Sequence, residues 1–261
     1  MNTLSVTAEA DLHGEVLSEL NLANQNLRKI NLREATITNC DLSGCCLAGA
    51  DLSGAKLEGV SLDGANLSRA IVRDTVLFGV NLKNSWFIEA DIRAAVFAGC
   101  DLAKCCAQSA NWVKVQIEDA VLEFADLSRG SFVEVSFARS LLNRATFAQA
   151  SLDHCTLDDV SAEFSDWRQV RITRCSVMRA NLVGAILNGA TAASCNFRNA
   201  DFYWAERDGF YMSDCDTRDL RESQPVVRKY FSNRSVPSRV APKPLHREPV
   251  SETVYRSKSS S

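Results

Sequence analysis

Residues 50–69 read ADLSG AKLEG VSLDG ANLSR, four successive units of five residues with leucine in the third place of each. The spacing extends in both directions, because every fifth residue from Leu12 to Phe202 is apolar, 39 positions without a break. With 46% of the chain hydrophobic, chance would give such a run with a probability of about 10⁻¹³. This five-residue register therefore decides the fold.

The other places of the unit also favour particular residues. A small residue such as Ala50 or Ala65 stands two places before the central residue, Asp or Asn often stands directly before it, and Gly often follows two places after it. A helix advances about 100° per residue, so positions five apart never form one stripe on it. A three-residue extended segment with two inward side chains, followed by a corner that suits Gly, Asp or Asn, fits the period. The sequence predicts an all-β chain.

The unit A(D/N)LXX resembles the motif of the pentapeptide-repeat family. This resemblance covers about residues 10–205 and implies a right-handed quadrilateral parallel β-helix of about ten coils. In that fold four units close one coil, so each residue lies over the residue twenty positions earlier. Successive coils then pair as parallel strands about 4.8 Å apart.

The chain divides into four segments. Residues 1–9 form a lead-in, 10–205 the β-helix, 206–232 a C-terminal cap with a short helix starting at Pro225, and 233–261 a basic, Ser/Arg/Pro-rich tail. We expect the tail to be disordered. Residues 221–261 carry nine basic and three acidic residues, a net of +6, whereas the remaining 220 carry 20 basic and 29 acidic residues, a net of −9.

The ten cysteines follow the register. Eight of them occupy the small inward place, namely Cys40, Cys45, Cys100, Cys105, Cys155, Cys175, Cys195 and Cys215. We interpret them as free thiols packed in the core of a protein in a reducing compartment, and Cys46 and Cys106 as facing outward. No apolar run is long enough for a membrane span, so we expect a cytoplasmic site of action, with export by a specialised machine as the open alternative.

Groups for catalysis do not converge in the sequence. His13 and His154 would lie about seven coils apart and His246 falls in the tail, so no metal or catalytic cluster is predicted. The glycines belong to the repeat and form no phosphate-binding loop. We therefore expect no enzyme activity, no cofactor and no metal.

Every twentieth residue shows which side chains share an outer column. One column contains Lys104, Phe124, Arg144, Phe164, Gly184 and Trp204, with Tyr203 beside the last. Exposed aromatic residues around an arginine are typical of interaction hot spots, so Phe124, Arg144, Phe164, Tyr203 and Trp204 are the candidate protein-binding surface. The alternative is a structural ladder of rings and arginine. A second column, Asp119, Arg139, Asp159 and Arg179, alternates in sign and is interpreted as self-neutralising.

Three functions remain open at this stage. The first is a non-catalytic scaffold that binds another protein through the faces of a rigid rod, without direct nucleic-acid binding. The second is implied by the resemblance: a DNA mimic that binds DNA gyrase or topoisomerase IV and protects it from quinolones, for which the acidic rod has the right sign. The third, also from the resemblance, is a secreted bacterial effector or secretion accessory. Homodimerisation through a coil end is a further option.

Overall fold

A computed structural model describes residues 6–222, which form a parallel β-solenoid of about ten turns. Each paired residue lies opposite the residue twenty positions further on, as in the series Leu17, Ile37, Leu57, Leu77 and Phe97. One turn is therefore twenty residues, which is four units of five. The predicted all-β coil is confirmed, and the described residues contain no helix.

The strands are short and fall into three sheets. The five-stranded sheet contains β1 (Val16–Ser18), β2 (Thr36–Thr38), β3 (Lys56–Glu58), β5 (Val76–Phe78) and β7 (Val96–Ala98). The eight-stranded sheet contains β4 (Ile71–Arg73), β6 (Asp91–Arg93), β8 (Asn111–Val113), β9 (Ser131–Val133), β10 (Ser151–Asp153), β11 (Arg171–Thr173), β12 (Thr191–Ala193) and β14 (Tyr211–Ser213). The two-stranded sheet pairs β13 (Asp201–Phe202) with β15 (Arg221–Glu222). The remaining sides of the coil pair through single parallel bridges.

The unit around Leu52 shows how five residues make one side and one corner. The Leu52 N–H donates to the carbonyl of Ile71 in the next coil at 2.8 Å, and the Gly54 N–H donates to the carbonyl of Arg73 at 2.7 Å. The N–H of Ala55 donates back to the Leu52 carbonyl and closes the corner. Gly54 has φ +72°, a conformation that glycine reaches without steric cost. The chain thus turns at every fifth residue while its backbone groups pair between coils.

The Asp or Asn before the central residue fixes the same corner. Asp51 Oδ1 accepts the N–H of Ser53 at 2.9 Å, and Asp166 Oδ1 accepts that of Arg168 at 3.0 Å. Asn66 makes the same bond. This hydrogen bond, which the side-chain oxygen accepts from the backbone N–H two residues later, is characteristic of an Asx turn. It explains why the polar place of the unit is so often Asp or Asn.

The axis of the coil is filled by the central residues. Those from Leu17 to Phe202 are all buried, and Leu12 is partly buried. Val72 lies opposite Ile92, one coil after Leu52, as the register requires. Aromatic rings pack inside the same column of side chains, and Phe147 and Trp167 stack with centroids 4.2 Å apart.

The solenoid extends beyond its predicted end at residue 205. Strand β14 pairs with β12, and β15 pairs with β13, so 206–222 continue the coil rather than form a separate cap. The apolar register is interrupted there because Arg207 and Thr217 take central places, yet the parallel pairing continues past both residues. The Arg207 guanidinium contacts Glu222 in the last described unit. The helix predicted from Pro225 and the tail at 233–261 lie outside the described residues.

The cysteines of the inward place are in the core as predicted. All of them except Cys215 are buried, and all ten cysteines are free thiols. Burial raises the pKa of Cys100 to about 11. Cys155 and Cys175 stack in successive coils, with the Cys155 N–H directed at the Cys175 Sγ at 3.2 Å. These thiols act as small apolar core residues.

Candidate functional site

The fifth place of each unit lies on an outer corner of the coil and has a positive φ angle in nearly every unit. Glycine, polar or charged residues occupy this place almost throughout residues 6–222. Aromatic residues occupy it three times, at Phe124, Phe164 and Trp204. All three belong to one of the four corners and are separated by two coils, which is about 10 Å. The three aromatic residues therefore share one corner of the coil.

Arg144 lies in the coil between Phe124 and Phe164. Its Cζ is 5.5 Å from the centroid of the Phe124 ring and 6.0 Å from that of Phe164. Both distances are within the range of cation–π contacts. The two phenylalanines are nevertheless 49% and 52% exposed. The ladder contacts considered from the sequence therefore exist, and they leave about half of each residue exposed to solvent.

The same corner ends in a pair of rings. Tyr203 and Trp204 have centroids 5.0 Å apart at an interplanar angle of 32°, and both side chains are exposed. Together with Phe124, Arg144 and Phe164 they cover the corner from the coil of Phe124 to that of Trp204. We call these five residues the aromatic column. The structure brings Arg144 against both phenylalanines and Tyr203 against Trp204.

The polar side chains beside the aromatic column are held in place by hydrogen bonds. Asn143 donates to Glu123 at 3.2 Å, and Asn181 donates to Glu163 at 2.8 Å. The partners of both glutamates are neutral amides, and neither glutamate belongs to an ion pair within residues 6–222.

The alternating column is self-neutralising, as predicted. Arg139 binds Asp119 through Nε and Nη2, at 2.9 and 2.8 Å, and Arg179 binds Asp159 in the same two-pronged way. The hydrogen bonds from Arg139 and Arg179 lower the pKa of Asp119 and Asp159, respectively. This corner presents paired charges to solvent and is a weaker candidate for binding.

A second group of exposed apolar side chains was missed by the sequence reasoning. Val16 is on β1, and Val76 and Phe78 are on β5, all on the outer face of the five-stranded sheet. Their outward places could be read from the period of two within each strand. Val16 and Val76 belong to one column, in which Thr36 and Lys56 lie between them. They form no continuous patch comparable to the aromatic column.

The histidines and the two outward cysteines within residues 6–222 lie apart from one another in the structure. His13 is exposed and contacts the Arg33 carbonyl, whereas His154 lies beside Asp153. Within residues 6–222 no group of three or more His, Cys, Asp or Glu side chains is placed to hold a metal ion. Cys46 and Cys106 are half-buried and lie three coils apart, and burial raises the pKa of Cys106.

The sequence and structure were compared with known proteins. The family model described as pentapeptide repeats matches in eight copies, over residues 16–54, 45–84, 75–111, 119–159 and 175–206. A search of the curated proteins finds no significant match. No helix within residues 6–222 has the length and apolar character needed to cross a membrane.

Solved pentapeptide-repeat structures are similar to this chain. HetL from the cyanobacterium Nostoc sp. strain PCC 7120, a protein involved in heterocyst differentiation regulation, is 26% identical, with 82% of this chain and 89% of that chain covered and a TM-score of 0.39. Full-length QnrB1, a plasmid-mediated fluoroquinolone resistance protein, is 20% identical, with 80% and 93% covered and a TM-score of 0.23. A thylakoid-lumen protein of Arabidopsis thaliana is 21% identical, with 38% and 69% covered and a TM-score of 0.24.

Proposed function

The chain belongs to the pentapeptide-repeat family, and we propose that it is a non-catalytic scaffold that binds another protein through the aromatic column. The observation that carries this proposal is the alignment of Phe124, Phe164 and Trp204 on one corner, each about half exposed. Exposed aromatic residues grouped around an arginine are enriched among the residues that dominate binding energy. A regular coil holds them in fixed positions, so little ordering is needed on binding.

The exposed ring surface, and not the backbone conformation, distinguishes the three aromatic residues. Phe124, Phe164 and Trp204 have φ angles of 60°, 55° and 60°, but the corner place has a positive φ angle in other units too, including 32 non-glycine residues in all. What the three add to the corner is apolar surface that remains about half exposed. A contact outside the chain would bury that surface.

The proposal is tested by removing the rings and measuring partner recovery. The variant Phe124→Ser, Phe164→Ser, Trp204→Ser and the wild type are immobilised as full chains and exposed to a lysate of the source organism. We expect the partner recovered by the wild type to be lost or reduced at least tenfold, because the apolar contact area is removed.

A matched control removes three exposed apolar residues elsewhere. The variant Val16→Ser, Val76→Ser, Phe78→Ser alters the five-stranded sheet, where the same number of apolar side chains is exposed. It should recover the partner as the wild type does. Circular dichroism and thermal unfolding of both variants establish that the coil is intact. Equal recovery by the aromatic variant would contradict the proposal.

The DNA-mimic function is the second candidate. The net charge of −9 outside residues 221–261 favours it, since a DNA-binding saddle is basic. Against it, many acidic side chains of the rod are paired with arginine, as at Asp119 and Arg139, and this reduces the field that a saddle would encounter. A gyrase supercoiling assay with and without the protein, in the presence of a quinolone, separates the two functions.

A further inference from the structure

We propose that a surface cavity beside Gly49 binds the carboxylate of an acidic side chain on a protein partner. The cavity lies one corner further along the coil than the aromatic column, and in earlier coils. The inference therefore goes beyond the proposed function and does not depend on it.

The corner at Gly49 carries an interrupted series of charges. Every twentieth residue along it gives Glu9, Lys29, Gly49, Arg69 and Glu89. Lys29 Nζ donates to Glu9 in the preceding coil at 3.3 Å, and Arg69 Nε donates to Glu89 in the following coil at 2.8 Å. Both cations are thus paired on the side away from Gly49, and the place between them carries no side chain.

The space between these two cations is open. A cavity of about 300 Å³ lies there, with Lys29, Gly49 and Arg69 in its lining. Apart from its chain neighbours, a Cβ atom at Gly49 would have only Lys29 Cγ within 4 Å, at 3.4 Å. Ala48, which also lines the cavity, is too short to fill it. The volume is in the lower range of sites that hold small ligands.

The alternating column shows what such an interval holds when it is filled. Arg139 and Arg179 are also two coils apart on one corner, and Asp159 lies between them. Arg179 donates to the Asp159 carboxylate at 2.7 Å. This hydrogen bond lowers the pKa of Asp159, and the charge of Arg139 lowers it further. A carboxylate between Lys29 and Arg69 would complete the same order of charges.

The balance of charge favours a single carboxylate. Arg28 also lines the cavity, is exposed and belongs to no ion pair within residues 6–222. With Lys29 and Arg69 it sets three cations against the two carboxylates of Glu9 and Glu89, a local net of +1. One carboxylate neutralises this charge, whereas a phosphate dianion would leave negative charge in excess on an acidic rod. The Arg28 guanidinium can donate to a carboxylate through two N–H groups.

The experiment measures the fluorescence anisotropy of a dansylated, amidated tri-glutamate peptide titrated with the full chain. A tri-glutamine peptide of the same format is the neutral control. Succinate and inorganic phosphate compete at equal ionic strength in a mildly alkaline buffer, where both are dianions. We expect saturable binding of tri-glutamate that weakens as salt is added, no binding of tri-glutamine, and displacement by succinate at least as effective as displacement by phosphate.

The variant Gly49→Asp supplies the carboxylate from the chain itself, as Asp159 does on the alternating column. Asp159 has φ 59° at the same place of the unit, so aspartate can adopt the conformation needed at Gly49, where φ is +72°. We expect tri-glutamate to bind this variant at least tenfold more weakly. Gly79→Asp is the matched control, because Gly79 has φ +59°, open space at its Cβ position and glycines Gly59 and Gly99 in the adjacent coils. It adds the same charge and should bind the peptide as the wild type does.

Arg28→Gln provides a second measurement that does not depend on position 49. It removes one exposed cation of the cavity, and we expect at least fivefold weaker binding of tri-glutamate. Arg171→Gln makes the same change of charge on β11, at an exposed arginine that belongs to no ion pair within residues 6–222. It should bind the peptide as the wild type does.

Four results would overturn the inference: equal binding of tri-glutamine and tri-glutamate, equal weakening by Gly49→Asp and Gly79→Asp, unchanged binding in either Gly49→Asp or Arg28→Gln, and displacement by phosphate at a tenfold lower concentration than by succinate. The last result would assign the cavity to phosphate instead. The triple aromatic substitution should leave peptide binding unchanged, so the carboxylate site and the aromatic column can fail separately.

Discussion

The buried tryptophans Trp167 and Trp112 differ in whether a hydroxyl oxygen accepts the indole N–H, and this difference predicts a change in stability. Trp167 Nε1 donates to the Ser165 hydroxyl at 2.6 Å, and that hydroxyl donates to the Ala162 carbonyl. Replacing Ser165 by alanine leaves a buried N–H without an acceptor, which costs about 1–3 kcal/mol. We expect Ser165→Ala to lower the free energy of unfolding by that amount, measured by urea denaturation.

A hydroxyl can be added beside the other buried tryptophan, Trp112. Trp112 Nε1 is buried without a hydrogen-bond partner within the described chain, and the small inward place before it is Ala110. By analogy with Ser165, Ala110→Ser supplies an acceptor and should raise the free energy of unfolding by about 1 kcal/mol. Unchanged stability of Ser165→Ala would contradict the role of the hydroxyl at Trp167, and a loss of stability in Ala110→Ser would contradict the expected gain at Trp112.

At the scale of single residues, the sequence predicted which side of the coil a side chain occupies better than it predicted the hydrogen bonds of that side chain. The period assigned Trp112 and Trp167 to the axis and Phe124, Phe164 and Trp204 to one corner, and the structure agrees in each case. The period could not show that one indole finds an acceptor and the other does not. That outcome depends on the side-chain rotamer within a packed coil, for which repeat spacing carries no information.

At the scale of the structural element, the paired charges on one corner predict how stability responds to pH. Hydrogen bonds from Arg179 lower the pKa of Asp159 below its ordinary value of 3.8. Its stabilising contribution is therefore complete above that value and is lost as the pH falls through the lower pKa of the folded state. We expect Asp159→Asn to lower the melting temperature near neutral pH and to have no effect in strong acid, as measured by calorimetry.

A matched substitution separates the ion pair from the backbone effect of asparagine. Asp214 also occupies an exposed corner place with positive φ, at 52°, and belongs to no ion pair within residues 6–222. Asparagine relaxes the left-handed conformation equally at both sites. Asp214→Asn should thus leave the melting temperature unchanged or slightly raised near neutral pH. The same loss in both variants would exclude the ion pair as the cause.

Residues 206–222 show where the prediction of elements from the sequence differs from the structure. The boundary was placed at 205 because Arg207 and Thr217 interrupt the apolar register. The coil nevertheless continues, since the Asp216 N–H still donates to the Cys195 carbonyl at 2.8 Å and Arg207 contacts Glu222. Apolar side chains indicate where a solenoid is tightly packed. The backbone pairing that continues the coil through residues 206–222 is not visible in the apolar register of those units.

At the scale of the whole molecule, the five-residue period predicts that one side of the coil can be deleted without loss of the fold. Deleting Ala185–Gly189 keeps every central place apolar but moves Trp204 by one corner, away from Phe164. Deleting Ala50–Gly54 removes the same length upstream and leaves the aromatic column intact. Both variants should unfold cooperatively with β-type circular dichroism, because each retains parallel pairing between coils. Only the first should lose the partner in the recovery assay. Equal recovery by both would mean that alignment on one corner is irrelevant to binding, and equal loss would mean that the coil transmits a disturbance along its full length.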